Sequence, residues 1–329
     1  MRRIALTFMF TLAAMPLAAQ GYHVAHTYVL GGPGGWDYVI PDVPNHRLFV
    51  ARENRVMVVS EAGKVLGEVT PIDGAHGTAV VDKVGHGFAT SGRDGTIRMF
   101  DLKTYKELST IPAKEDADGI IYDPATDRVF SSDGDANAST VVDPAGKLIT
   151  NIPLGGKPEY LASAGDGKVY FNLVDKAEVV EVDGRALKVT RRWTTTGCTQ
   201  PVAMAIDVTH HRLFSGCRSG VLAVSDYRAG KVVATVPIGK GVDSSGYDAA
   251  LGNIFEACAD GTLTVIHQDS PDKYRVVQTL KTPEYSRSMG LDPTNHRVYV
   301  VAAKFEEAAQ GKRRPPMVPG SFSLLVIER

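Results

Sequence analysis

One phrase, written seven times, constrains this chain more than any other feature: an apolar pair, usually an Asp, a turn of four to six residues, then an aliphatic and an aromatic residue. It runs from Val39-Ile40-Pro41-Asp42 to Arg47-Leu48-Phe49, from Ile121-Tyr122-Asp123 to Arg128-Val129-Phe130, and from Leu291-Asp292 to Arg297-Val298-Tyr299. The recurring aromatics Phe49, Phe88, Phe130, Tyr170, Phe214, Phe255 and Tyr299 are 39, 42, 40, 44, 41 and 44 residues apart. A period near 42 is that of a β-propeller blade. Two further β-rich runs follow within each unit, such as Thr96-Ile97-Arg98-Met99-Phe100 and Leu108-Ser109-Thr110-Ile111, giving four strands, A to D, per blade. Several runs are apolar at consecutive positions, the pattern of sheets covered on both faces. The predicted fold is all-β: a seven-bladed β-propeller of four antiparallel strands per blade, in one domain over residues 20–329.

The last unit has strands near Ser286–Leu291, Val298–Ala303 and Phe322–Ile327, and no fourth run follows. The segment His26-Thr27-Tyr28-Val29-Leu30-Gly31-Gly32 resembles the D strand and exit Val232-Val233-Ala234-Thr235-Val236-Pro237-Ile238-Gly239. It is predicted to complete blade seven, closing the ring and leaving no free edge. Before it, Met1-Arg2-Arg3 and the apolar stretch Ile4 to Leu17, ending in Leu17-Ala18-Ala19, read as a signal peptide over residues 1–19. The stretch is too short to span a bilayer, and no longer apolar run follows. A periplasmic or secreted protein without a membrane anchor is expected, with a monomer as the simplest assembly. The formal net charge of -1 gives no overall field for nucleic acid.

The repeats Val232 to Gly239 followed by Asp248, and Asp292-Pro293-Thr294-Asn295-His296-Arg297-Val298-Tyr299-Val300, resemble the YVTN-type propeller repeat of the YncE-like group, over essentially the whole chain after residue 19. Signatures of WD40 and kelch repeats are absent. The resemblance implies an exported seven-bladed propeller; it does not imply one activity, because such propellers host binding scaffolds, lactonases and lyases alike.

In a propeller, strand A lines the central channel, and the D-to-A and B-to-C connections open on one face. Counting back five residues from the end of each strand A predicts a ring at the channel mouth: Asp37, Gly77, Asp118, Glu159, Val202, Asp243 and Arg287, with Trp36, His76 and Gln200 just before it. Arg287 falls between Asp243 and Asp37 and is expected to pair with both. Asp118 and Glu159 occupy neighbouring blades with no basic residue beside them in the ring. At about 4 Å and an effective dielectric near 20, two such charges repel by roughly 4 kcal/mol. Water, a raised pKa, a cation or a cationic ligand must relieve this.

Three functions suit these residues. One is a ligand site built from Trp36, Asp37, His76, Asp118, Glu159, Asp243 and Arg287, taking a small molecule or a protein partner. Another is a cation site on the trio His76, Asp118 and Glu159, where oxygen ligands favour Ca²⁺ or Mg²⁺ and one His is too little for Zn²⁺. The last is a lactonase- or lyase-like enzyme with His76 or Glu159 as acid/base and Arg287 orienting an anionic substrate. The binding scaffold is the preferred reading, with no metal or other cofactor assigned.

The loop 304–320 joins strands B and C of blade seven on the same face and is long for such a join, as a lid or partner-binding element would be. Its basic run Lys312-Arg313-Arg314 is too short to track phosphates, so a nucleic-acid partner is not expected. Histidines His46, His86, His210, His211 and His296 lie in A-to-B turns on the opposite face and are assigned to the fold, as are the terminal strand-A residues Asp42, Asp82, Asp123, Asp207, Asp248 and Asp292. Of three cysteines, Cys198 precedes strand A of blade five and Cys217 ends its strand B. Antiparallel pairing brings those ends together, so a Cys198–Cys217 disulfide is expected in an oxidising compartment, with Cys258 as the alternative partner or a free thiol.

Overall fold

In the computed structural model, four-stranded antiparallel sheets stand in a ring, strand A of each at the axis and strand D at the rim. The structure describes residues 21–307 and 315–329; the expected signal peptide and the centre of the 304–320 loop lie outside them. Strand A is Val39–Asp42 in blade one, Ala75–Val81 in blade two, Ala117–Asp123 in blade three, Pro158–Ser163 in blade four, Pro201–Asp207 in blade five, Val242–Asp248 in blade six and Met289–Asp292 in blade seven. The fold is the predicted seven-bladed propeller.

Ring closure follows the predicted route with a shifted boundary. His23–Val29 pairs antiparallel with Ser323–Glu328, which pairs with Arg297–Ala302 and so with Met289–Asp292. Arg52 locks the chain leaving this outer strand. Its buried guanidinium donates to the carbonyls of Gly31, Gly32, Pro33, Gly34 and Gly35 at 2.9 to 3.1 Å and lies 3.6 Å from the Phe322 ring centroid. Burial lowers its pKa to about 10.

The core is divided among the seams between blades. The aromatic third residue of each strand B, from Phe49 to Tyr299, is at most 2% exposed. Blades one and two, for example, meet at Phe49, Val56, Val58, Ala89, Phe100 and Leu102, and blades six and seven at Phe255, Leu263, Val265, Val298, Leu325 and Ile327. Each fully buried aromatic contributes roughly 2–3 kcal/mol, a repeated contribution at every seam beside that of the aliphatic residues. Cys198 and Cys217 form a disulfide with Cα atoms 5.7 Å apart, and Cys258 is free and buried.

Candidate functional site

Side chains of strand B fix the height of the channel-lining strands. Thr90 of blade two donates its hydroxyl to the carbonyl of Asp118 in blade three, and Ser132 of blade three does the same to the carbonyl of Glu159 in blade four. Asn172 of blade four donates to the carbonyl of Ala203 in blade five at 2.9 Å. Glycine lets the strands approach: a Cβ on Gly119 would lie 3.0 Å from the Glu159 carbonyl oxygen and 2.8 Å from Leu161. Asp118 and Glu159 therefore sit on a backbone pinned from the neighbouring blade.

Blade two corrects the predicted ring by one residue. Its strand A ends at Val81, and Asp82 begins a short 3₁₀ turn, Asp82–Val84. Counting back from Asp82 lands on Gly77, whereas His76 occupies the place that Asp118 holds in blade three, each the second residue of its strand. The mouth ring is thus Asp37, His76, Asp118, Glu159, Val202, Asp243 and Arg287.

These residues close a bowl of about 310 Å³ lined by Asp37, Tyr38, His76, Asp116, Asp118, Lys157, Glu159, Arg218, Asp243, Ser244 and Arg287. Trp36 does not line it. Its indole packs against Phe305 and Phe322 at the seam of blades seven and one, with ring centroids 6.0 and 5.4 Å away. Phe305 bridges to Met317 at the stem of the 304–320 loop and contacts Tyr285, so the stem stands at the same rim.

The bowl has two unlike halves. In one, His76 Nδ1 is 2.5 Å from Asp37 Oδ2 and 3.5 Å from Asp118 Oδ1. The expected trio is therefore replaced in part: Asp37, and not Glu159, joins His76 and Asp118. These three residues can each bring a ligand atom within 4.8 Å of the others, the spacing of a small metal site. Burial works against the charge on His76, but the bond to Asp37 and the field of Asp118 outweigh it and raise its pKa to about 9. Burial pushes Asp118 well above the carboxylate range; His76 opposes this, and Asp37 and Glu159 add to it. Asp118 Oδ1 is shielded from solvent and accepts no hydrogen bond.

The other half is held by arginines. Arg218 donates to Glu159 Oε1 at 3.0 Å and to Asp243 Oδ1 at 3.2 Å, and Arg287 Nε lies 3.0 Å from Asp243 Oδ2. Arg287 was expected to bridge Asp243 and Asp37; among the described residues it pairs with Asp243, and Asp37 is held by His76. Arg218 is the counter-charge that ring counting lacked. It follows Cys217 at the end of strand B, and the signal for it was the same topology that places Cys217 on this face. Burial raises Glu159 to about 7, against Arg218 and with help from Asp243 and Asp37. Asp243 is also raised by burial, against Arg287. Lys157, a second cation outside the predicted ring, bonds Asp116 and Asp135 at 3.0 and 2.6 Å. Tyr38, which lines the bowl, packs on Tyr160 with ring centroids 5.1 Å apart, and burial raises both phenols.

Chemically, the site offers fixed positive groups on one side and a desolvated, hydrogen-bond-poor carboxylate on the other. His76 is poorly placed as a general base toward the bowl. Its Nδ1 is engaged, and its Nε2 edge faces Gly92, where an added Cβ would lie 2.8 Å from it.

No protein-family model matches the chain, and no curated protein sequence matches it. Solved structures do. The WD40 repeats of RRP9 superpose with a TM-score of 0.79 at 10% identity, covering 94% of this chain and 100% of that one. The WD40 propeller of Doa1 gives 0.71 at 16% identity over 94% and 97%. Hydrazine synthase of Kuenenia stuttgartiensis gives 0.69 at 15% identity over 82% and 92%. At these identities the likeness is one of fold, shared with WD40 propellers although the chain lacks their sequence signature. Among the described residues no helix is long and apolar enough to cross a membrane.

Proposed function

We propose that this chain is an exported propeller of the YVTN, YncE-like type that binds a small polar ligand in the bowl at its channel mouth. The observation that carries this reading is the Asp118 carboxyl. A buried acceptor left without a donor costs about 1–3 kcal/mol, more when charged, and is retained where a bound group completes it. The volume, about 310 Å³, stands at the small end of ligand pockets and suits a metabolite better than a peptide. Arg218 and Arg287 are 36% and 41% exposed and would take an anionic group of the ligand opposite Asp118.

The lactonase- or lyase-like alternative is favoured by Glu159 alone, whose pKa near 7 suits proton transfer at neutral pH. The other expected acid/base, His76, has its Nδ1 taken up by Asp37.

A thermal-shift screen of polar metabolites and lactones on the parent and on Glu159→Gln tests both readings. A shift in the parent supports binding; lactone turnover lost in Glu159→Gln would establish the enzyme instead; no shift with any compound overturns the small-ligand reading. Export is tested by cell fractionation with and without residues 2–19, with retention in the cytoplasm expected for the truncated chain.

A further inference from the structure

We infer that Asp37, His76 and Asp118 form a site for one divalent first-row transition-metal ion, of the Mn²⁺ to Zn²⁺ class, at the acidic edge of the bowl. The inference deepens the ligand-binding reading and rests on it. One ring nitrogen is addressed by two carboxylates from different blades: Asp37 Oδ2 at 2.5 Å and Asp118 Oδ1 at 3.5 Å from His76 Nδ1. An ion with bonds of about 2.1 Å places neighbouring ligand atoms about 3 Å apart, and the two observed separations straddle that value.

The second observation concerns how Asp118 is satisfied. Asp118 Oδ1 is buried and accepts no hydrogen bond although it lies in the mouth of a polar bowl. A carboxylate serving only the fold at this depth is expected to be saturated by donors. The backbone beneath it is fixed, because Thr90 holds the Asp118 carbonyl, and a Cβ on Gly77 would lie 2.9 Å from that same oxygen. Asp118 is therefore pinned where its Oδ1 accepts no hydrogen bond and has the 3.5 Å ion pair with His76 as its charge contact.

Donor chemistry selects the ion. Imidazole nitrogen is a poor ligand for Ca²⁺ and Mg²⁺, which take oxygen almost exclusively, whereas one imidazole with two carboxylates suits Mn²⁺ through Zn²⁺. The donor types are those of the trio expected from the sequence, with Asp37 in place of Glu159. What departs from that expectation of Ca²⁺ or Mg²⁺, with one His too little for Zn²⁺, is the weight given to the nitrogen, which is central here because both carboxylates converge on His76 Nδ1. All three side chains are partly exposed toward the bowl, so the remaining coordination positions would face the ligand space.

The test is direct titration of the purified, metal-stripped protein with Mn²⁺, read by loss of the free-ion EPR signal, with Zn²⁺ uptake by calorimetry as a second probe. One equivalent per chain is expected, with affinity falling at least about ten-fold in Asp118→Asn and less than about three-fold in Glu159→Gln, which alters the bowl's charge outside the trio. Thermal melts verify that both variants fold. If Asp118→Asn does not fold, Asp37→Asn replaces it with the same expectation. Absence of stoichiometric uptake, or equal losses in the two variants, overturns the site. Small-molecule shifts that persist in EDTA without Mn²⁺ uptake overturn the metal while leaving the ligand reading intact; Mn²⁺ uptake without any small-molecule shift does the reverse.

Discussion

The propeller carries carboxylates on both faces, and the two sets are finished differently. On the turn side, Asp42, Asp123, Asp207, Asp248 and Asp292 are at most 3% exposed; the first four are bonded on both oxygens, and Asp292 accepts two bonds on Oδ1. Asp123 accepts from the Thr126 amide and hydroxyl and from Ser163 of the next blade. Asp248 accepts from the Ala250 and Leu251 amides and from His296 of blade seven. At the mouth, Asp118 Oδ1 accepts no hydrogen bond and has only the longer 3.5 Å ion pair with His76. Burial alone thus does not separate the turn-side acids from Asp118; the count of donors does.

The largest effect expected from this contrast is at the turn side. Asp248→Ala orphans two turn amides and the His296 ring at the seam of blades six and seven, and a loss of about 3 kcal/mol is expected in denaturant unfolding. A loss below about 1 kcal/mol would break the comparison at its stronger end. Arg218→Met comes next. It removes the cation that Glu159 contacts, and since Arg218 is 36% exposed the loss is discounted to about 1–2 kcal/mol. That loss should be greater at pH 8 than at pH 6, because Glu159, already raised to about 7, then stays protonated in the variant at the lower pH. Equal losses at the two pH values would assign Arg218 to packing.

Glu256 lies between the two sets: fully buried like a turn-side acid, half-satisfied like a mouth acid. Ser245 donates to its Oε2 at 2.7 Å, and Oε1 has no partner. It fills the space left by Gly216 of blade five, where a Cβ would lie 2.5 Å from Oε2. Burial raises its pKa to about 8. The unfolded chain releases this proton above about pH 4.5 and the folded chain does not, so stability falls as pH rises from there to about 8. The fall for one such group approaches about 1.4 kcal/mol per pH unit between the two pKa values, and Glu256→Gln should reduce the slope by up to that amount between pH 6 and 8. Parallel curves for parent and variant would show that Glu256 is ionised in the fold.

Much of this was legible from the period. Strand A lies at the axis in every blade, so one count placed Asp37, Asp118, Glu159, Asp243 and Arg287 on the mouth without any knowledge of contacts. The count slipped where its anchor moved: Asp82 sits in a 3₁₀ turn beyond the end of its strand, and the ring gained Gly77 in place of His76. Arg218 was out of reach of a count made on strand A, since it enters the bowl from the B-to-C hairpin. The pairing of Asp37 with His76 was illegible for another reason. Ring order gives neighbours, but side-chain reach decides which neighbour is bonded, and His76 reaches back toward blade one.

The smallest expected effect is the sharpest test of the contrast. Asp118→Asn keeps the shape of the side chain and removes an acid that burial already disfavours in its charged form. The new amide can donate at any pH, whereas the carboxyl can do so only while protonated, and Asp37 lies within the same cluster. The variant should therefore unfold within about 1 kcal/mol of the parent, and at pH 8 should match or exceed it, because there the parent must either hold a proton against solution or bury a charge. Urea unfolding at pH 6 and 8, beside Asp123→Asn as the turn-side counterpart, measures it. Asp123→Asn turns one of two accepting oxygens into an NH2, leaving at least one of three donors without its acceptor and facing a new donor, and should fall below the parent at both pH values. If Asp118→Asn falls as far as Asp123→Asn, the mouth carboxylate belongs to the fold after all, and donor count ceases to distinguish the two faces.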